Sequence, residues 1–316
     1  MTRSTLASRV GATLALASSL FLAACGGAPA EVAAPEGGAK PAERARDAHQ
    51  IASELVGGRI GGLLHVERLR GHPLGKRLLG LGELRELLEG SDLDPLVDLE
   101  RVYVTGPSAS ERRAIVFAEH KLDDARVDRA VEQLVEKSKP RGQLVLGRPY
   151  PVVRVQRGDG SGLVAFLPPR FVVVVPEDLE AKIDDFASTG GLPGPEGDEA
   201  ASIVAWQPSD SLRAHGAPPV PASVAVARAR VILQSGGGAL LRAEGDSASP
   251  EQAELDAAAL QASIDRATTV QLGFVRMKVF RTIPFRSEES RVLTEVDLSA
   301  SELSQLLGLA EMAMRR

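Results

Sequence analysis

The feature that most constrains this chain is a recurring order: two short apolar strands, then an amphipathic helix. Arg101-Val102-Tyr103-Val104 and Ala114-Ile115-Val116-Phe117-Ala118 read as a hairpin. The segment from Asp123 follows, with Val127, Ala130, Val131 and Leu134 at helical spacing on one face. A second unit has strands over 152–155 and 163–166, separated by Gly158-Asp159-Gly160-Ser161. Phe171 to Val175 extends its sheet, and Leu179, Ile183 and Phe186 mark its helix. Hairpins join neighbouring strands only when these run antiparallel, so an antiparallel sheet is expected.

The theme returns after residue 200. Ile203-Val204-Ala205-Trp206 stands where residues 63–66 stand in the first half. Residues 224–233 and 239–243 form a hairpin across Gly236-Gly237-Gly238. Ser249-Pro250-Glu251-Gln252 starts a helix, with Ser as cap, Pro at the first position and Gln able to reach back to the capping N–H. Alternation from Val275 to Phe285 and from Val292 to Leu298 predicts a last hairpin, with Ile283 opposite Val292 and Lys278 opposite Asp297. Ser299-Ala300-Ser301-Glu302 is a capping box for the final helix. Earlier, residues 73–89 read as a helix.

The expected fold class is α+β: antiparallel sheets from repeated hairpin–helix units with helices on one face, in two similar ferredoxin-like halves or one long curved sheet. Segments 114–131 and 293–307 align as strand, acidic turn and helix, which suggests duplication. The expected organisation is a signal segment over 1–24, a flexible tether over 25–50, a first half over 51–187, a Gly/Pro-rich linker over 188–199 and a second half over 200–316.

The N-terminus carries the clearest functional signal. Arg3 and Arg9 precede an apolar run, which ends at Leu22-Ala23-Ala24-Cys25-Gly26. A basic start, an apolar stretch too short to span a bilayer and small residues before the cut define a secretory signal. With Cys at the cut, the motif resembles the bacterial lipoprotein signal. That resemblance implies removal of residues 1–24, acylation of Cys25 with diacylglycerol and palmitate, and, with Gly26 where a retention signal has Asp, passage to the outer membrane. Leu93-Asp94-Pro95-Leu96-Val97-Asp98-Leu99, leading into the strand at Val102, resembles uncharacterised lipoproteins of myxobacterial type and implies no activity.

Cys25 is the only cysteine, so no disulfide can form within the chain. Aromatic residues are 3% of the total, leaving Ala, Leu and Val to fill the core. The net charge of −5 gives no sign of nucleic-acid binding.

Motifs for chemistry are absent or incomplete. Gly71-His72-Pro73-Leu74-Gly75-Lys76-Arg77 is one residue short of a phosphate loop and has Arg77 where that loop needs a hydroxyl. Gly158–Gly162 precedes a strand rather than a helix, so it is a turn and no nucleotide fingerprint. His49, His65, His72, His120 and His215 show no metal-ligand spacing, and no Gly-x-Ser-x-Gly elbow is present. No cofactor or metal is expected. Arg228, Arg230, Arg276 and Lys278 fall at period-two spacing on strands; they read as a solvated sheet face neutralised by Glu295 and Asp297, or as a basic face for an acidic envelope protein or anionic polymer.

The sequence therefore favours a non-enzymatic envelope lipoprotein, a binding or structural module held to the membrane through Cys25. An apolar-ligand carrier, with a cavity near Val172–Val175 and Val224–Leu233, is the first alternative. A hydrolase with a site assembled only by the fold is the second.

Overall fold

The computed structural model describes residues 46–79, 93–108, 113–157, 160–213, 219–272, 275–278 and 280–314. In the first half, α1 (Ala48–Val56) leads to β1 (Ile60–His65), followed by the short helices α2 (Val66–Leu69), α3 (Pro73–Leu79) and α4 (Pro95–Asp98). Strands β2 (Leu99–Gly106) and β3 (Ile115–His120) form the first hairpin, and α5 (Asp124–Lys137) follows. Then come β4 (Gln143–Leu144), β5 (Val152–Arg157), β6 (Gly160–Leu167), β7 (Phe171–Pro176) and a 3-10 helix, Glu177–Phe186.

The second half has β8 (Glu199–Trp206), α6 (Pro208–Ser211), β9 (Val226–Leu233), β10 (Ala239–Asp246) and α7 (Pro250–Ala267). It ends with β11 (Thr269–Leu272), β12 (Val275–Lys278), β13 (Arg286–Glu288), β14 (Arg291–Leu298) and α8 (Ala300–Met314). Of the helix expected over 73–89, Pro73–Leu79 is helical; the rest lies outside the described residues.

One twelve-stranded sheet runs through both halves, in the order β13-β14-β10-β9-β8-β1-β2-β3-β7-β6-β5-β4. All its pairings are antiparallel. The halves meet where β1 pairs β8, from Ile60 opposite Ala205 to Leu64 opposite Ala201. Reading outward from that seam gives β1-β2-β3-β7 on one side and β8-β9-β10-β14 on the other. The strand order is thus mirrored about the seam, with α5 following β3 as α7 follows β10. By position, β3–α5 matches β10–α7; the segment 293–307 matches β7 and its 3-10 helix instead of 114–131.

This mirrored antiparallel arrangement is α+β, but its strand order is not ferredoxin-like. That fold needs parallel neighbours joined by crossover helices, and the sheet contains none.

Helices also lie on both faces, not one. The row Val152, Ala165, Val173, Phe117, Tyr103, Leu63 crosses the first half on one face. It is buried under α1 and the 3-10 helix, which contribute Ile51, Ala52, Leu179, Ile183 and Phe186. Val116, Ala118, Val153, Phe166 and Val172 point the other way, into a core with Ala130 and Leu134 of α5. The continuous apolar runs 115–118 and 171–175 are the signature of strands buried on both faces.

In the second half the described helices cover one face. Ala229, Val231, Leu241, Ala243 and Val296 pack with Leu74 of α3 and Leu303 and Leu307 of α8, while Ala253, Ala257 and Leu260 of α7 close on Val292. Continuing the first-half row across the seam gives Ser202, Arg230, Arg242 and Glu295. The same face therefore changes from apolar to charged at β8.

Local capping follows the sequence in most places. Asp123 accepts from Arg126 N at the start of α5, 2.8 Å. Ser299 and Glu302 exchange both bonds of a capping box. Ser249 Oγ accepts from Gln252 N, 3.2 Å. The Gln252 side chain, however, turns to Ser223 Oγ and Asp256 Oδ1 rather than back to the cap.

The last hairpin departs from expectation. Ser287, not Ile283, faces Val292, and the turn is Glu289-Ser290 with Glu289 at φ 51°. Alternation sets which face a side chain takes but not how far a strand slides. Pro284 lacks the N–H a ladder requires, and β12 pairs with β11 in a separate two-stranded ribbon.

Candidate functional site

The four basic residues expected on one face are not brought together. Arg228 and Arg230 lie on β9, whereas Arg276 and Lys278 lie on β12, opposite Gln271 and Thr269 of β11. Around β9 the charges are paired. Arg228 contacts Asp246 at 2.9 Å and Glu244 at 3.4 Å, Arg230 meets Glu196 at 2.6 Å, and Arg242 meets Glu295 at 2.7 Å. Buried Glu244 also lies 3.8 Å from Arg291. This face is thus a lattice of alternating sign rather than a basic surface, and its exposed pairs, such as Arg242 with Glu295, contribute at most about 1 kcal/mol each.

A second cluster sits at the seam, under residues 190–199. Arg101 donates to Glu119 Oε2 and to the Leu192 carbonyl, and Glu119 Oε1 accepts from Leu192 N at 2.7 Å. Arg68 donates to the carbonyls of Gly197 and Glu199, and Glu199 Oε1 accepts from Glu196 N. The Gly/Pro-rich segment is therefore fastened over the sheet, with Leu192 buried.

His65 lies beside this cluster, 1% exposed, and neither ring nitrogen has a partner among the described residues. Burial lowers its pKa, and Glu199 partly opposes that shift. His120, also buried, accepts from Leu122 N through Nδ1. Burial, then the Arg170 charge, lower it to about 4. Both imidazoles are held neutral near pH 7 by desolvation.

The remaining placed histidines do not converge. His72 Nδ1 accepts from Leu74 N at the start of α3, and its Nε2 faces the Gly238 carbonyl at 3.2 Å. His49 packs edge-on to Tyr103. His215 and Cys25 lie outside the described residues. Among the described residues no group of three or more His, Cys, Asp or Glu is placed to hold a metal, and no helix is long and apolar enough to cross a membrane.

At the opposite end of the seam strands is a polar groove of about 380 Å3 lined by Gly57, Arg59, Pro107, Ser108, Asp210, Ser211 and Arg213. These residues come from the loop before β1, the loop after β2, and α6 with the residues just after it, which follow β8. Arg59 is fixed from both sides: its N–H donates to the Gly106 carbonyl, 2.9 Å, and its carbonyl accepts from Trp206 N, 2.7 Å. Arg213 contacts Asp210 at 3.1 Å. Ser211 is 1% exposed, and its hydroxyl has no partner among the described residues. Arg59, Ser211 and Arg213 share no motif; only the β2-β1-β8 strand order brings them together.

No family model matches the chain, and no curated protein matches it. A solved structure titled "Structure of crystal form I of TP0453" is similar over 81% of this chain and 95% of that chain, with 11% identity and a TM-score of 0.49. Similarity at that level carries no role across.

Proposed function

We propose that this chain is a non-enzymatic envelope lipoprotein, anchored in the outer membrane on its periplasmic side by acylated Cys25, with an α+β body that serves as a binding or structural module. The observation that carries the reading is Leu22-Ala23-Ala24-Cys25 at the end of an apolar run behind Arg3 and Arg9. The Ala-, Pro- and Gly-rich stretch after Cys25 suits a tether between lipid and body. Two or more acyl chains, at about 0.8 kcal/mol per buried methylene, would hold the protein stably.

The body is consistent with this role. The carboxylates at the seam and on the charged face are engaged with arginines and backbone N–H groups. The sheet's edge strands have only two and three residues, short enough to discourage addition of a foreign strand. The mirrored strand order supports duplication of one ancestral half. The groove at Arg59 is polar, so it lends nothing to an apolar-ligand carrier.

Cys25→Ser tests the anchor in cells fed labelled palmitate. The parent chain should take up label and stay with the outer membrane through an alkaline wash. The variant should be unlabelled, keep its leader and leave that fraction. Equal labelling and retention of the two proteins would refute the anchor.

A further inference from the structure

We propose that the groove lined by Arg59, Ser108, Ser211 and Arg213 is a binding site for a phosphate-type oxyanion carried by a small molecule. Three observations converge on it. First, the Arg59 side chain is exposed and has no ion pair or hydrogen bond among the described residues, although most neighbouring arginines on the sheet are paired. Its backbone is locked between β2 and β8, so the guanidinium is presented from a fixed point.

Second, the buried Ser211 hydroxyl has no partner among the described residues. Buried polar groups are nearly always satisfied, and an exception calls for an explanation such as a missing ligand. Third, α6, which carries Ser211, is set by Gln207 in the left-handed region at φ 50°, with Gln207 N held by the Ala225 carbonyl. A non-glycine residue in that conformation persists when its surroundings impose it.

The charge balance suits an anion. Arg59 and Arg213 contribute two positive charges and Asp210 one negative, leaving the wall net positive. Arg213 meets Asp210 through one nitrogen, and a guanidinium carries five N–H donors, so others remain for a ligand. Arg59, before β1, and Ser211 and Arg213, in and after α6, approach from two separate segments, which suits a tetrahedral oxyanion better than a planar carboxylate. Guanidinium–phosphate bonds are charge-assisted and can be bidentate. The volume of about 380 Å3 lies in the range of small-molecule pockets and leaves room for a substituent on the phosphorus. The same chemistry is offered by a free phosphate ester or by a phosphodiester lipid headgroup.

Isothermal titration of the full chain in detergent tests the proposal, with inorganic phosphate, glycerol 3-phosphate and glycerophosphoglycerol as probes. At least one should bind. Arg59→Ala should weaken it about tenfold or more, and Arg59→Lys less, because lysine keeps the charge but not the planar fork. Arg242→Ala, on the charged face away from the groove, should bind like the parent. Preference for glycerol 3-phosphate would assign a free ester, and preference for the diester a headgroup. Absence of binding by all three probes at tens of millimolar, or equal affinity of the parent and a normally folded Arg59→Ala or Arg59→Lys protein, would overturn the proposal.

Discussion

Truncating Phe117 to alanine should destabilise the protein by about 3–5 kcal/mol, read as a lower urea midpoint with an unchanged slope. Phe117 is fully buried in β3, between β2 and β7. Its ring centroid lies 5.0 Å from Phe171 and 5.7 Å from Phe186, tying the strand pair to the 3-10 helix. The chain has only eight Phe and one Trp, and the rest of this core is mostly aliphatic. Phe171 and Phe186 are each held in their own element and the remaining neighbours are mostly aliphatic, so the site collapses only in part and the loss includes a cavity as well as the transfer energy. Against a typical stability of about 5–15 kcal/mol, that is a large fraction. Phe117→Leu, which keeps most of the volume, should cost under about 1.5 kcal/mol.

The second large effect is expected at Glu119. Its carboxylate is 7% exposed, accepts from Arg101 and caps the N–H of Leu192. Glu119→Ala leaves a half-buried guanidinium and a buried N–H without their acceptor. Removing one partner of a buried pair costs about 3–5 kcal/mol. Arg101 is 29% exposed and can recover some water, which places the expected loss at the lower end, about 3 kcal/mol. Residues 190–199 would also lose one of their ties, the bond from Leu192 N, and Arg101, which holds the Leu192 carbonyl, would lose the carboxylate that positions it. Brief proteinase K treatment should therefore cut the variant within this segment while the parent stays intact. Equal resistance of the two proteins would show that Glu119 does not hold the segment down.

Much of the architecture could be read from the residues. Asp123, Ser249 and Ser299 each head the helix their spacing implied, and Leu179, Ile183 and Phe186 are the buried face of theirs. Burial on both faces was written in the unbroken apolar runs of β3 and β7, although amphipathic helices alone suggest a single covered layer. Slippage of the last hairpin was not legible, because alternation from Val275 to Phe285 is equally satisfied by several pairings. Nor was the ion pairing of Arg228 and Arg230, whose partners come from β10 and from Glu196. The groove was invisible for a related reason. Arg59 and Ser211 become neighbours only through the pairing of β1 with β8, a contact between halves that local patterns do not encode.

That seam joins the two halves into one continuous sheet, and they are expected to unfold as one unit. The chain offers a single-site reporter for it: Trp206, the only tryptophan, at the end of β8 in the second half. The most direct test follows Trp206 fluorescence and far-ultraviolet circular dichroism through urea unfolding of the parent and of Phe117→Ala, whose lesion lies entirely in the first half. If the sheet is one unit, both probes give a single coincident transition, and the first-half lesion moves the Trp206 midpoint as far as it moves the dichroism. A Trp206 transition that stays at the parent midpoint while the dichroism splits into two steps would contradict the account.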